Sequence, residues 1–424
     1  MKALLRLAAT AATVFGVRAF EVCVRYGFTL ALALSLGASG AGQIYLGLAI
    51  VILVGTFARC GLDQASMRAL AVAAQAGDLP AARGIVLTAL GAIALLGGLL
   101  SLLLFLAAPL LSGHVFGEGV PAPMLRAIAF GVIGLALQVA AGAQLSALGR
   151  PIAGQIVSSV LWPMVAMAYL VLPGATATGT ALTLTLAQLA AAALGFWLIR
   201  QRLRGMAAAI RPALAPMRAV ALPLFGADLA QILMGYLPIL ALGLVASEVE
   251  IGQFGMASRL SILLTVLAVA MYAARGPRFA QLFAAGDLAG LERAARAASH
   301  LVAGAGLAMA LVLWCFPATI LGLMGQDFRP ASPVLVILVA GQFAITLTSQ
   351  AHALLVMTRH ERDLWHNSLI AAAVLLVGLA VLLPRYEGVG AALAAAGAYA
   401  VFGLANVLRA RQRLGINVLN AFRP

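Results

Sequence analysis

Charge is scarce in this chain. Of its 424 residues only 9% are charged and 63% are hydrophobic, and the mean hydropathy is +1.06, whereas a soluble domain carries about 25% charged residues. That balance excludes a water-soluble enzyme, a nucleic-acid binder and a disordered chain. Acidic residues number 13 against 27 basic ones, and lysine is all but missing, since every basic residue except Lys2 is an arginine. The formal charge of +14 does not describe a nucleic-acid surface, because the arginines are scattered among long apolar runs and form no basic domain. Cys23, Cys60 and Cys315 have no CxxC spacing, which supports neither a disulfide framework nor a metal site. His114, His300, His352, His360 and His366 likewise form no ligand-spaced pair with Cys, Asp or Glu. No P-loop and no GxGxxG is present, so no ATP-hydrolysing motor is encoded and no cofactor is implied.

What the chain does have is apolar runs of membrane length. A helical span needs roughly 20 mostly apolar residues to cross about 30 Å of hydrocarbon. Twelve segments qualify: 12–36, 41–60, 84–111, 123–148, 151–173, 176–199, 219–246, 251–274, 298–322, 331–357, 364–383 and 388–408. The start, with Lys2 and Arg6 before an apolar stretch, has the outline of a signal peptide. Arg18, Glu21 and Arg25 follow at once without a clear cleavage site, so it is read as a retained first helix. With the N-terminus inside, the inside segments carry most of the basic residues. These include Arg59, Arg68 and Arg83, the run from Arg200 to Arg218, Arg275 to Arg296, and Arg409 to Arg423. The outside segments hold only Arg126, Arg329 and Arg385. The bias predicts that both termini are cytoplasmic. Trp197 and Trp365 fall near the inner interface, as aromatic belts do.

The chain also repeats itself at an offset near 209. Ala76-Gly77-Asp78-Leu79 recurs as Ala285-Gly286-Asp287-Leu288, Ala108-Pro109 as Phe316-Pro317, and Phe116-Gly117-Glu118 as Met324-Gly325-Gln326. Gly149-Arg150 corresponds to Thr358-Arg359. Six helices therefore repeat as six, which predicts an all-α protein of two bundles with the same topology. The expected organisation is an N-terminal bundle over 1–200, a basic linker over 201–218 and a C-terminal bundle over 219–424. Parallel repeats of this kind belong to alternating-access transporters, whose substrate site lies between the halves.

The first helix ends in a small-residue turn followed by Gly42-Gln43-Ile44-Tyr45. The second runs into Arg59-Cys-Gly-Leu-Asp-Gln-Ala-Ser-Met-Arg68, and Ala-Gly-Asp-Leu precedes the third. In these features and in its twelve spans the chain resembles the polysaccharide-export, O-antigen (Wzx-type) flippases of the multidrug/oligosaccharidyl-lipid/polysaccharide superfamily. The acidic turn usual after the first helix of that family is here Gly37-Ala-Ser-Gly40. The resemblance implies a MATE-like fold and a saccharide cargo on an undecaprenyl-type lipid pyrophosphate, moved from the inner to the outer leaflet. It also implies other polysaccharide-assembly proteins as partners.

Ionisable residues within spans default to functional candidates, because a charge at the bilayer centre costs at least about 2.5–3.5 kcal/mol. Arg18, Glu21 and Arg25 share one narrow face at 100° per residue. Asp228, Gln231 and Gly235 occupy the same positions at an offset of 210, and Arg259 lies in the eighth helix. Guanidinium pairs bidentately with phosphate oxygens, so Arg18, Arg25 and Arg259 are candidates for holding the pyrophosphate in a water-filled cavity. Glu21, Asp228 and Gln231 would balance charge. Arg18 has the alternative of snorkelling to the interface. Asp228 has two readings, titration that couples transport to H+ or Na+, or pairing with an arginine. Asp63 and Asp78 read as solvated loop charges or helix caps, and the Arg200–Arg218 run as a topology signal, with contact to anionic lipid headgroups as the alternative.

The reading is a transporter and not an enzyme, a lipid-linked oligosaccharide flippase. A MATE-type exporter of soluble cations is the alternative within transport, disfavoured by the excess of interior arginine over carboxylate. A membrane glycosyl enzyme, such as an O-antigen polymerase or ligase, needs a large outer loop, and the outer connections here are short.

Overall fold

The computed structural model describes residues 2–116, 120–203, 214–358, 360–416 and 418. Every element among the described residues is helical. The helices are α1 (Lys2–Arg59), α2 (Leu62–Gln75), α3 (Leu79–Leu110), α4 (Ala122–Ala129), α5 (Gly131–Ala147), α6 (Pro151–Gln155), α7 (Leu161–Leu170) and α8 (Ala177–Arg202). They continue with α9 (Leu214–Leu242), α10 (Glu248–Ser261), α11 (Leu263–Ala284), α12 (Leu288–Cys315), α13 (Pro317–Met324), α14 (Ser332–Met357) and α15 (Glu361–Leu414).

Ten helical stretches among the described residues are long and apolar enough to cross a membrane. Two of them, Gly16–Arg59 at 44 residues and Arg362–Leu414 at 53, are more than twice the roughly 20 residues that one crossing needs. Each is broken in the middle, α1 at Gly37 (φ 64°) and α15 at Glu387 (φ 46°). Counting each as two crossings recovers the twelve predicted spans. At the second break the Gly388 N–H donates to Glu250 Oε1 of α10 at 2.7 Å.

Lipid-facing character is visible on single helices. Along α3 the exposed large residues are Leu95, Leu99, Leu102, Leu103, Leu106 and Leu110, at the i, i+4, i+7 spacing of one stripe. A contiguous apolar face of this kind suits acyl chains and is rare on soluble proteins.

Contacts divide the chain into two compact units, Met1–Ile232 and Leu233–Pro424. In the first, α5 is central and packs against α8, α3, α2 and α1. Small residues let it approach its neighbours: a Cβ on Gly142 would stand 2.7 Å from the Gly154 carbonyl oxygen of α6, the close backbone approach that membrane helices use in place of a hydrophobic driving force. The first part of α9 packs with this unit. In the second unit α14 is central, packed by α15, α12, α11 and α10. Its buried cluster includes Phe279, Leu291, Leu354, Leu355 and Leu414.

The repeated Ala-Gly-Asp-Leu motif is helix punctuation. Gly77 (φ 68°) and Gly286 (φ 74°) take the left-handed conformation. The Asp78 and Asp287 N–H groups close the preceding helices on Ala73 and Leu282 carbonyls at 3.0 Å each, which is a Schellman ending. The same aspartates then cap the next helix, accepting from Ala81 N–H at 3.0 Å and Gly290 N–H at 2.7 Å. In each copy the same four residues end one helix and begin the next.

Candidate functional site

Two charged clusters lie in the first unit. In the N-terminal half of α1, before its break at Gly37, Glu21 is buried, at 7% side-chain exposure, between two arginines exposed at 57% (Arg18) and 45% (Arg25). Arg18 Nη1 donates to Glu21 Oε2 at 3.2 Å, and Arg25 Nη2 stands 3.0 Å from Oε1. The i,i+3 and i,i+4 spacings put all three side chains on one helix face. A third donor comes from α6, where Gln155 Nε2 donates to Glu21 Oε2. Gln155 immediately precedes a π-helical turn, Ile156–Val160, a widening that often marks functional sites. One carboxylate therefore fixes two guanidinium groups and leaves a net charge of +1.

The second cluster joins three elements. Arg59, the last residue of α1, reaches Asp63 of α2 at 2.7 Å, Asp228 of α9 at 3.1 Å and the Thr56 hydroxyl at 3.0 Å. The side chains are 11%, 4% and 20% exposed for Arg59, Asp63 and Asp228. Asp63 is thus no solvated loop charge but a buried residue in the first turn of α2. The chain reverses between α1 and α2 through Cys60 (φ 48°) and Gly61 (φ 72°). Here the backbone of α9 comes so close that a Cβ on Gly61 would overlap the Ala221 carbonyl oxygen and stand 2.8 Å from the Phe225 amide nitrogen. The Phe57 and Phe225 rings pack edge to face at 5.4 Å. Ala221, Phe225 and Asp228 share one face of α9, so the glycine contact seats that helix at the depth where Asp228 meets Arg59. Arg59 Nε and Asp63 Oδ1 are buried without a hydrogen-bond partner among the described residues. Fully ionised, the cluster carries two carboxylates to one guanidinium.

The sequence-predicted residues are therefore distributed. Arg18, Glu21 and Arg25 come together. Asp228 pairs with Arg59, Gln231 is exposed on α9, and Arg259 is half-buried near the end of α10 in the second unit. Sequence reasoning missed Gln155 as the third ligand of Glu21 and Arg59 with Asp63 as the partners of Asp228. The available signal for the latter was Asp228 itself, since a carboxylate within a span requires a buried counter-charge.

The second unit has a cluster of its own, where Asp363 accepts from Arg413 at 2.9 Å and 3.2 Å. It ties the start of α15 to its end. No group of three or more His, Cys, Asp or Glu side chains able to hold a metal occurs among the described residues.

Residues 223–382 match the family model described as MatE. No curated protein matches the chain significantly. Among solved structures, the chain is similar to an inward-facing multidrug resistance MATE family transporter of the MOP superfamily, with a TM-score of 0.79 and 16% identity over 95% of this chain and 96% of that one. It is also similar to the lipid II flippase MurJ in an inward closed conformation, at 0.73 and 12% identity over 94% and 87%. A MATE transporter of Vibrio cholerae, VcmN, matches at 0.62 and 18% identity over 99% and 100%. The fold is MATE-like, a fold of membrane transporters.

Proposed function

We propose that the protein is a flippase for a lipid-linked oligosaccharide, an O-antigen or exopolysaccharide unit on an undecaprenyl-type pyrophosphate, moved across a bacterial inner membrane by alternating access. The observation that carries this reading is the Arg18–Glu21–Arg25 face: two half-exposed guanidinium groups held in register by one buried carboxylate, with a net positive charge. A pyrophosphate leaving water needs fixed, permanently charged donors, because bare transfer of its charge into hydrocarbon is prohibitive. Glu21 and Gln155 supply the fixing, so that little side-chain freedom is lost when the anion arrives. The fold shared with a lipid II flippase supports a lipid cargo. Arg259 is proposed as a third contact, and both termini are proposed to face the cytoplasm.

A second reading rests on the other cluster. Two carboxylates on one guanidinium at Arg59, Asp63 and Asp228 suit a coupling cation, H+ or Na+, or the export of cationic solutes, in keeping with the MatE match.

One experiment separates them. The gene is expressed in cells lacking their own oligosaccharide flippase and in cells lacking their drug exporters, and surface glycan and cationic-dye efflux are measured. The flippase reading expects restored glycan. It expects Arg25→Gln to lower delivery about tenfold or more, since a charged hydrogen bond contributes about 1.5–3 kcal/mol. Arg25→Lys should rescue in part, keeping the charge but losing the bidentate fork. Normal glycan in the Arg25→Gln/Arg259→Gln double variant at normal protein level would show these arginines to be structural. Dye efflux without glycan would establish the second reading.

A further inference from the structure

We propose that the second unit carries a separate anion site, a pocket that holds a phosphate group at the membrane surface. A cavity of about 560 Å³ opens between the end of α11 and the start of α12, within the roughly 300–1,000 Å³ range of ligand sites. Arg275, Arg278 and Leu282 line it from α11, and Gly290 and Arg293 line it from α12. On α11 these positions follow i, i+3, i+7, and on α12 i, i+3, so each helix turns one continuous face to the cavity. The acidic group in the lining is Asp287, and its carboxylate already accepts the Gly290 N–H as a helix cap.

The three arginines are not spent on the fold. Their neighbour Arg296 pairs with Glu292, and Arg413 with Asp363, whereas no ion pair is formed by Arg275, Arg278 or Arg293 among the described residues. The 209-residue offset puts Ser66, Ala69 and Gly84 at the corresponding places of the first half, where α2 and α3 meet in the same helix-turn-helix, with Arg68 and Arg83 each one residue away. Three guanidinium groups that line one cavity without an ion pair among the described residues repel each other, and an anion with several oxygens relieves that repulsion by bridging them.

Depth identifies the ligand's chemistry. The apolar run that continues from α10 into α11 gives out at Ala274, and Arg275 and Arg278 are the first charges beyond it. On α12 the charged first turns with Glu292, Arg293 and Arg296 precede the apolar run that starts at residue 298. The pocket therefore sits at the level of lipid phosphates, where basic pockets between membrane helices bind anionic headgroups. A phosphate diester of an anionic lipid and a free phosphate compound offer the same oxygens to these donors.

The test uses the full chain purified into nanodiscs of phosphatidylcholine with a minor fraction of phosphatidylglycerol. Retained lipid is read by native mass spectrometry after extraction. A parallel arm titrates inorganic pyrophosphate and reads the melting temperature. The proposal expects retention of phosphatidylglycerol that falls about tenfold in Arg278→Gln/Arg293→Gln. It expects no fall in Arg68→Gln/Arg150→Gln, which removes the same charge from exposed positions of the first unit. Arg278 and Arg293 are exposed, so melting without ligand should be unchanged. Pyrophosphate stabilisation without lipid retention, lost in the same variant, would assign the site to a soluble phosphate. Equal losses in both double variants, or no binding in either arm, would overturn the pocket.

Discussion

Gly61→Ala should be among the most damaging single-methyl additions in the molecule. Two costs apply. The residue sits at φ 72°, a conformation that costs an L-residue about 1–2 kcal/mol. The added Cβ would also overlap the Ala221 carbonyl oxygen and crowd the Phe225 amide nitrogen. Both are backbone atoms of α9 and cannot rotate away. Relief requires moving α9 or the α1–α2 turn, an overpacking cost of about 1–3 kcal/mol. Any such shift also stretches the 3.1 Å contact between Arg59 and Asp228. The expected destabilisation is about 2–5 kcal/mol. Gly77→Ala is the internal control, because Gly77 has nearly the same φ, 68°, with nothing within 4 Å of its Cβ position. It should show the conformational cost alone. Thermal melting of detergent-purified variants, followed by size-exclusion fluorescence, compares the two directly. Equal melting temperatures for Gly61→Ala and Gly77→Ala would refute the claim that the turn is pressed against α9.

Arg59→Gln leaves Asp63 and Asp228 buried without their counter-charge and should cost about 3–5 kcal/mol. Asp228→Asn should cost less, because Arg59 keeps Asp63, and the reverse order in the same melting assay would refute Arg59 as the hub of the cluster. Topology is checked in a background with Cys23, Cys60 and Cys315 replaced by serine. Cysteines at Glu248 or Glu387 should react with an impermeant thiol reagent added outside intact cells, and those at Ala285 or Arg411 should not; the opposite pattern would invert the proposed orientation.

The spans were legible because a bilayer leaves the chain few options: every crossing must be apolar and helical, so hydropathy alone located them. The helix ends were legible where small motifs do physical work, as Ala-Gly-Asp-Leu does in ending one helix and capping the next. The face shared by Arg18, Glu21 and Arg25 was legible because it depends only on the 100° step of one helix. Partners brought from elsewhere were not. Gln155 is uncharged and 134 positions from Glu21, and nothing in its own segment marks it. Asp63 looked like loop charge because Gly61 conceals that the chain turns inward there. Arg275, Arg278 and Arg293 already served to explain orientation, and a residue that satisfies one explanation hides a second. The charge arithmetic shows what this changes. Counted along the sequence, Asp228 offsets the positive face of α1. In the fold its partner is Arg59, whose other carboxylate is Asp63. Glu21 alone then balances Arg18 and Arg25, so the surplus positive charge stays on the exposed face where an anionic headgroup would meet it.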